Sequence, residues 1–130
     1  MRGFLLVFIL LQACGAALTQ EQATRLRHEL REAMQRPIHT RAERDENSRL
    51  LADVVGKEVL HGLDRDQVRA ALGPGEACRD KLCEEHGFVE DDYYYEIGHA
   101  EGDQVKQLPV LIVGFDPQGR AIRVWTLTTH

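Results

Sequence analysis

Two cysteines separated by four residues offer the clearest chemistry in this 130-residue sequence. Cys78 and Cys83 form an even pair at close spacing, which in an oxidising compartment predicts a disulfide that closes a short loop. His86 follows three residues later, so a metal site built from Cys78, Cys83 and His86 is the alternative. Structural zinc requires four ligands, and no second Cys or His pair stands at a suitable spacing. The disulfide is therefore the favoured interpretation, and we expect no metal and no cofactor.

No arrangement of residues indicates catalysis. The six histidines are scattered along the chain, and none of them has an HExxH or similar ligand spacing. Ser48 is the only serine, and it lies in a charged helical segment, not in a Gly-x-Ser-x-Gly turn. The acidic residues from Glu84 to Asp92 lack the spacing of a calcium loop, which favours a solvated loop. The sequence thus predicts a protein that is not an enzyme.

Aromatic residues provide the best candidate for a binding surface. Tyr93, Tyr94 and Tyr95 are consecutive, and in a strand Tyr94 must face away from the other two. One set should pack under the helices and the other should lie on the open face of the sheet. Exposed Tyr and Trp are favoured in interfaces, so we expect Tyr94, Arg123 and Trp125 to contact a partner. The alternative is tyrosines that pack only on their own sheet.

Three helices are expected ahead of the strands, because each has a capping box at its start. In this motif the N-cap side chain and the side chain three residues later each accept a hydrogen bond from the other residue's backbone N–H. The pairs are Thr19–Gln22, Thr40–Glu43 and Asp64–Gln67. Pro37, Gly62 and Gly73 should end the three helices. The charged first half of the second helix is expected to be solvated.

Strands are expected after a loop that runs from Gly75 to about Asp92. The three predicted strands cover residues 93–97, 108–115 and 120–128, and Asp116–Gly119 fits a type I turn between the last two. Helices followed by an antiparallel meander predict an α+β fold. In this arrangement the helices cover one face of a three-stranded sheet.

The first residues are typical of an export signal. One basic residue precedes eight consecutive apolar residues, 4–11, a run too short for a membrane span of about 20 residues but suited to a signal peptide. Cleavage before Cys14 would follow the lipobox-like Leu11-Gln12-Ala13-Cys14 and leave Cys14 to be acylated. Cleavage after the small residues 15–17 would instead leave no lipid. Residues 1–17 are expected to be the targeting segment, and lipidation is favoured.

The charge balance argues against nucleic-acid binding. The chain has 16 basic and 21 acidic residues, for a net charge of −5. Nucleic-acid-binding domains carry a basic patch or stripe, and no such feature stands out here. We therefore expect no nucleic-acid partner, and no small-molecule substrate is evident either.

One motif resembles a known family. Residues 62–74 read Gly-Leu-Asp-Arg-Asp-Gln-Val-Arg-Ala-Ala-Leu-Gly-Pro, which resembles the Gly-Met-Thr-x-x-x-Val-x-x-x-Leu-Gly-x-Pro helix of the SmpA/OmlA (BamE-like) domain of bacterial envelope lipoproteins. An aromatic strand like 93–97 and a Phe-Asp-x-x-Gly strand end like 115–119 follow in the same order. The resemblance implies two helices and a three-stranded antiparallel sheet, a fold shared with β-lactamase-inhibitor-like domains, which bind protein partners.

The export signal and the family resemblance together divide the chain into a targeting segment 1–17, a helical segment 18–61 and a BamE-like α+β domain 62–130. We expect an exported, non-enzymatic envelope lipoprotein that works through protein–protein contact as a structural or assembly accessory. The alternative is an inhibitor module for a periplasmic or secreted enzyme. A lipid on Cys14 would hold the protein at the outer membrane facing the periplasm; without it the protein would be soluble in the periplasm.

Overall fold

The computed structural model describes residues 18–127. The predicted targeting segment, including Cys14, and residues 128–130 lie outside this part of the chain. The elements in it are α1 Gln20–Gln35, β1 Pro37–Ile38, α2 Arg41–Gly56, α3 Arg65–Leu72, β2 Glu76–Ala77, α4 Lys81–Glu85, β3 Tyr93–Glu96, β4 His99–Ala100, β5 Val110–Phe115 and β6 Ala121–Leu127. The predicted α+β class is confirmed.

The first three helices begin where the sequence predicts. Thr19, Thr40 and Asp64 are the N-caps of α1, α2 and α3, and each forms a complete capping box. These boxes satisfy N–H groups that have no partner inside the helix. Gly73 ends α3 with a φ of 96°, a conformation that glycine adopts without steric cost.

The second helix ends earlier than the sequence indicates. Apolar spacing predicted a helix as far as Gly62, whereas α2 ends at Gly56 and the residues between form turns. Glu58 has a φ of 54°, which takes the chain out of the right-handed helical path. Val59 and Leu60 are both buried. In a helix the side chains of two consecutive residues would point about 100° apart around the helix axis.

The first half of α2 is less exposed than expected. Arg44 is only 8% exposed, and Asn47 and Ser48 are also buried. The Asn47 side-chain amide donates to the carbonyl of Ile97 at 3.4 Å, so this end of the helix faces the chain that leaves β3. The expectation of a solvated segment is therefore wrong for these positions, because protein covers the helix there.

The strands form two sheets. The larger has the order β2-β3-β5-β6 with antiparallel neighbours, and β1 and β4 form a separate parallel pair. The strands β3, β5 and β6 lie where the sequence predicts strands. The fourth strand, β2, lies in the segment that the sequence analysis assigned to a loop, and it pairs Glu76 with Tyr94 and Ala77 with Tyr93.

One core draws on the helices and on one face of the larger sheet. Its buried side chains come from both the predicted helical segment and the predicted α+β domain, and include Leu30, Leu51, Val54, Val68, Tyr95, Ile97, Leu111 and Val113. The helices thus cover one sheet face. The opposite face carries a second, smaller core, and the candidate site lies there.

Candidate binding surface

The sheet face away from α1–α3 carries a row of three side chains across its strands. Tyr94 on β3 stands opposite Ile112 on β5, which stands opposite Trp125 on β6. Tyr93 and Tyr95 pack in the helix-side core, whereas Tyr94 and Trp125 pack in the smaller core. The alternation of strand residues between faces thus places these tyrosines. Ile112 is fully buried, and Tyr94 and Trp125 are half-buried.

Residues 78–88, which we call the cover segment, lie across this face. Cys78, Cys83 and Phe88 are buried against Val110 and Ile112. The sulfur atoms of Cys78 and Cys83 are 1.95 Å apart, at disulfide distance. The face that the sequence analysis expected to be open is therefore partly covered, because a short loop-and-helix segment supplies its own apolar residues to it.

Two carboxylates stabilise the cover segment and the loop that follows it. Asp80 caps α4 by accepting from the backbone N–H of Leu82 at 2.9 Å. Asp92 is buried, and its carboxylate accepts from the backbone N–H groups of Val89 at 2.9 Å and Phe115 at 3.2 Å. Because Phe115 belongs to β5, Asp92 ties the loop after the cover segment to the sheet.

A glycine in β5 makes room for the cover segment. A Cβ atom at Gly114 would lie 2.9 Å from Cε1 of Phe88, closer than real contacts allow. Glycine inside a strand often marks a close approach by another part of the protein. Here it allows the Phe88 ring to lie directly on the strand.

His86, Arg123 and Trp125 meet at the edge of the cover segment; we call this group the His86 surface. The rings of His86 and Trp125 are stacked, with centroids 4.0 Å apart and an interplanar angle of 30°. The Arg123 guanidinium donates to the carbonyls of His86 and Gly87, at 2.5 and 3.3 Å. It also lies 4.3 Å from the centroid of Phe88, a cation–π contact. His86 and Arg123 are exposed.

Tyr94 belongs to a different part of the same face. Ile112 separates it from Trp125, and its neighbours are acidic. Partial burial, together with the carboxylates of Asp80, Glu96 and Glu76, raises the pKa of Tyr94 to about 12. Its hydroxyl is therefore neutral at physiological pH. Of the three predicted contact residues, the structure brings Arg123 and Trp125 together and leaves Tyr94 apart from them.

Metal ligation has little support in this region. Within residues 18–127, no three His, Cys, Asp or Glu side chains converge in a way that could hold a metal ion. Cys78 and Cys83 are bonded to each other, so neither offers the thiolate that a metal requires. The face of the His86 ring stacks on Trp125.

The sequence marks His86 only as a possible metal ligand, and its pattern does not single out Phe88. No apolar period runs through residues 75–92, so nothing in the pattern indicated that this segment folds back on the sheet. One signal was present: Gly114 interrupts an otherwise apolar strand, and an isolated strand glycine indicates close approach.

Comparison with protein-family models, curated proteins and solved structures finds no match for this chain. Among residues 18–127, none of the helices has the length and apolar character needed to cross a bilayer.

Proposed function

We propose that this chain is an exported, non-enzymatic protein of the cell envelope that works by binding another protein. The observation that carries the proposal is the His86 surface, in which Arg123 and Trp125 on β6 meet His86 at the end of α4. Tyr, Trp and Arg are the residues that contribute most binding energy in protein interfaces. Trp125 and Arg123 supply two of these types side by side.

The His86 surface is ordered by contacts within the chain. Arg123 is held by two backbone carbonyls and by the Phe88 ring, and Trp125 is held by the His86 ring. Association normally costs about 0.5–1.5 kcal/mol for each flexible side chain that must be ordered. Side chains that are already fixed avoid part of this cost, so a small surface can support a specific contact.

Export and lipidation are part of the same proposal. The apolar run 4–11 and Cys14 support a signal peptide whose cleavage leaves Cys14 to be acylated. A disulfide between Cys78 and Cys83 is the kind of bond that persists outside the cytoplasm. The intact mass of the mature protein tests all three features together. We expect a diacylated or triacylated chain that begins at Cys14 and lacks two further thiol protons; a mass that includes residues 1–13 would contradict export.

We also propose that residues 62–128 are a SmpA/OmlA-like domain, with helices followed by a three-stranded antiparallel meander. Support comes from α3, which begins after the Asp64 cap and ends at Gly73, and from the antiparallel order of β3, β5 and β6. An accessory role in envelope structure or assembly follows from this likeness. The protein partner is the specific expectation that experiment can test.

Affinity capture with matched variants tests the binding proposal. The double variant His86→Ala, Arg123→Ala alters the proposed surface, and Arg25→Ala, His28→Ala removes the same two residue types from exposed positions on α1. We expect the first variant to lose the envelope protein that the unmodified chain captures, and the second to retain it. Equal capture by both variants, with unchanged circular dichroism, would contradict the proposal.

Inhibition of an enzyme is a second candidate, and the loop after the cover segment favours it. Val89 is 61% exposed in a loop that Asp92 ties to β5. A fixed loop with an apolar tip suits insertion into a cleft, because little conformational freedom is lost on binding. If the captured partner is a hydrolase, the purified chain should inhibit it and Val89→Asp should abolish inhibition. Full inhibition by Val89→Asp would exclude this mode.

A further inference from the structure

The outer edge of β6 is paired at only one end. The N–H of Ala121 donates to the carbonyl of Leu63 at 2.7 Å, and the carbonyl of Ala121 accepts from the N–H of Gly62 at 2.9 Å. This short contact covers the start of the strand. The remainder of β6 is the last strand of the larger sheet, so its outer side has no neighbouring strand in the described part of the chain.

Strand alternation identifies the backbone groups that face outward. The carbonyl of Pro109, which precedes β5, accepts from the N–H of Ile97 at 2.9 Å. The backbone N–H and C=O groups of every second residue from Pro109 therefore point toward β3. The intervening residues of β5 face β6, and their partners there are Arg123, Trp125 and Leu127. Val124 and Thr126 therefore turn their N–H and C=O groups away from β5. Within residues 18–127, neither Val124 nor Thr126 forms a backbone hydrogen bond other than those between neighbouring strands of the sheet.

This edge lacks the features that usually prevent pairing with another strand. Proteins protect an exposed edge with charged residues, Pro, a bulge or very short strands. Residues 124–127, Val-Trp-Thr-Leu, include no charge and no Pro. The bulge lies ahead of them, since Gly114 pairs with Arg123 while Phe115 pairs with Ala121. The opposite edge of the sheet is β2, which is only two residues long.

We propose that β6 pairs with β6 of a second copy of this chain, in antiparallel register around a two-fold axis at Trp125. In this register Val124 stands opposite Thr126 of the second copy, and Thr126 stands opposite its Val124. Each pair exchanges two N–H···O=C bonds, so all outward groups of the two residues are satisfied. If the two-fold axis lay one residue pair earlier or later along β6, only some of the outward N–H and C=O groups of Val124 and Thr126 would be bonded in this way.

Side chains along the seam favour a second copy over an unrelated strand. The two Trp125 side chains stand directly opposite each other in the pair without hydrogen bonds, where side chains are closest, and cross-strand aromatic pairs are stabilising. The chain's net charge of −5 opposes self-association, but the seam carries no acidic residue. Arg123 lies opposite Leu127 of the second copy, so the two arginines do not face each other.

This pairing goes beyond the proposed function and does not depend on it. It joins the two larger sheets into one and places two copies of the His86 surface on the same side of it. Loss of pairing lowers the mass measured by light scattering to that of one chain, whereas loss of the protein partner removes the captured protein and leaves that mass unchanged. The two proposals can therefore fail separately.

Mass measurement by light scattering on the exported mature chain tests the pairing. Cys14→Ser removes the acylation site, so that no lipid drives association. We expect a mass twice that of one chain, which falls to that of one chain on dilution. Thr126→Pro removes two of the four bonding N–H groups and should give the single-chain mass, while the matched Thr126→Val keeps them and should remain paired. A single-chain mass for the unmodified protein at every concentration would overturn the proposal.

Amide hydrogen exchange tests the register without altering the strand. The N–H groups of Val124 and Thr126 should exchange slowly in concentrated protein and faster on dilution, because pairing is their only source of protection. The N–H of Trp125 faces β5 and should be protected in both conditions. Fast exchange at Val124 and Thr126 in concentrated protein would overturn the pairing, even if Thr126→Pro fails to fold.

Discussion

Single residues decide how closely the cover segment approaches the sheet. Gly114 and Phe88 show this most clearly, because the ring occupies the space that a side chain at position 114 would need. The contact also positions Arg123, whose guanidinium lies over the same ring. One missing Cβ atom therefore influences the geometry of the candidate surface.

Gly114→Ala should destabilise the protein, because its Cβ atom would lie 2.9 Å from the Phe88 ring and force the cover segment to move. Overpacking of this kind costs about 1–3 kcal/mol, measurable by urea unfolding. Gly56→Ala is the matched control: a Cβ there meets nothing within 4 Å, so stability should be unchanged or slightly higher. Equal effects from the two substitutions would show that Phe88 does not lie on Gly114.

The raised pKa of Tyr94 predicts a loss of stability at high pH. Tyr94 ionises at about 12 in the folded state and at its ordinary value of 10.0 when unfolded. Its contribution to stability is complete below pH 10 and is lost as the pH rises through about 12, because the unfolded state then releases its proton first. The free energy of unfolding should fall less steeply over this range for Tyr94→Phe. Identical slopes would show that neither partial burial nor the acidic neighbours raise the pKa of Tyr94.

Two-residue periodicity in strands could separate Tyr94 from Tyr93 and Tyr95, and could place Trp125 on the same face as Arg123. It could not show that Ile112 stands between Tyr94 and Trp125, since that depends on the register between three strands. Nor could it show that His86 stacks on Trp125, because these residues are distant in the chain and only the path of the cover segment brings them together.

At the scale of elements, the cover segment is the feature that gives this sheet a second core. It is short, and its one helix has five residues, too few to be stable alone. Its position depends on the Cys78–Cys83 disulfide, on the Asp92 hydrogen bonds and on Phe88. The disulfide should therefore matter for the candidate surface as well as for stability.

Replacement of both cysteines, Cys78→Ala and Cys83→Ala, should lower the free energy of unfolding by about 2 kcal/mol, as expected for closure of so short a loop. Trp125 is the only tryptophan, so its fluorescence reports on the surface directly. We expect its emission to shift to longer wavelength as the cover segment loosens.

Treatment of the unmodified chain with a reductant should reproduce the emission shift of the double cysteine variant, and the variant itself should not respond to reductant. If neither reduction nor the double substitution changes the Trp125 emission, the disulfide does not hold the cover segment on the sheet.

The elements that the sequence predicted well have local causes. Capping boxes start α1, α2 and α3, and apolar or aromatic runs mark β3, β5 and β6. The elements that it missed have distant causes. The strand β2 exists only by pairing with β3, and α2 stops at Gly56 because Val59 and Leu60 enter the core by another path.

At the scale of the whole molecule, the fold has a helix-covered face with one large core and a second face with a small one. The large core unites the N-terminal helices with the sheet, which holds the sheet in place for the surface on its other side. The sequence predicted the α+β class because helices and strands occur in separate blocks. The candidate surface lies on the second face, at the edge of the segment that partly covers it.

The central claim is that a protein partner in the cell envelope contacts the His86 surface. Site-specific photo-crosslinking in living cells tests this most directly, because a crosslinker forms bonds only with what touches it. The photoreactive residue p-benzoylphenylalanine replaces Glu85, which is exposed beside His86 at the end of α4, so that His86, Arg123 and Trp125 all stay in place. In a second strain it replaces Arg25, which is exposed on α1, as the matched control.

We predict a discrete crosslinked species, formed with one envelope protein, from the Glu85 position and none of that mass from the Arg25 position. The absence of a crosslink at Glu85, or the same species from both positions in equally abundant and folded protein, would contradict the claim.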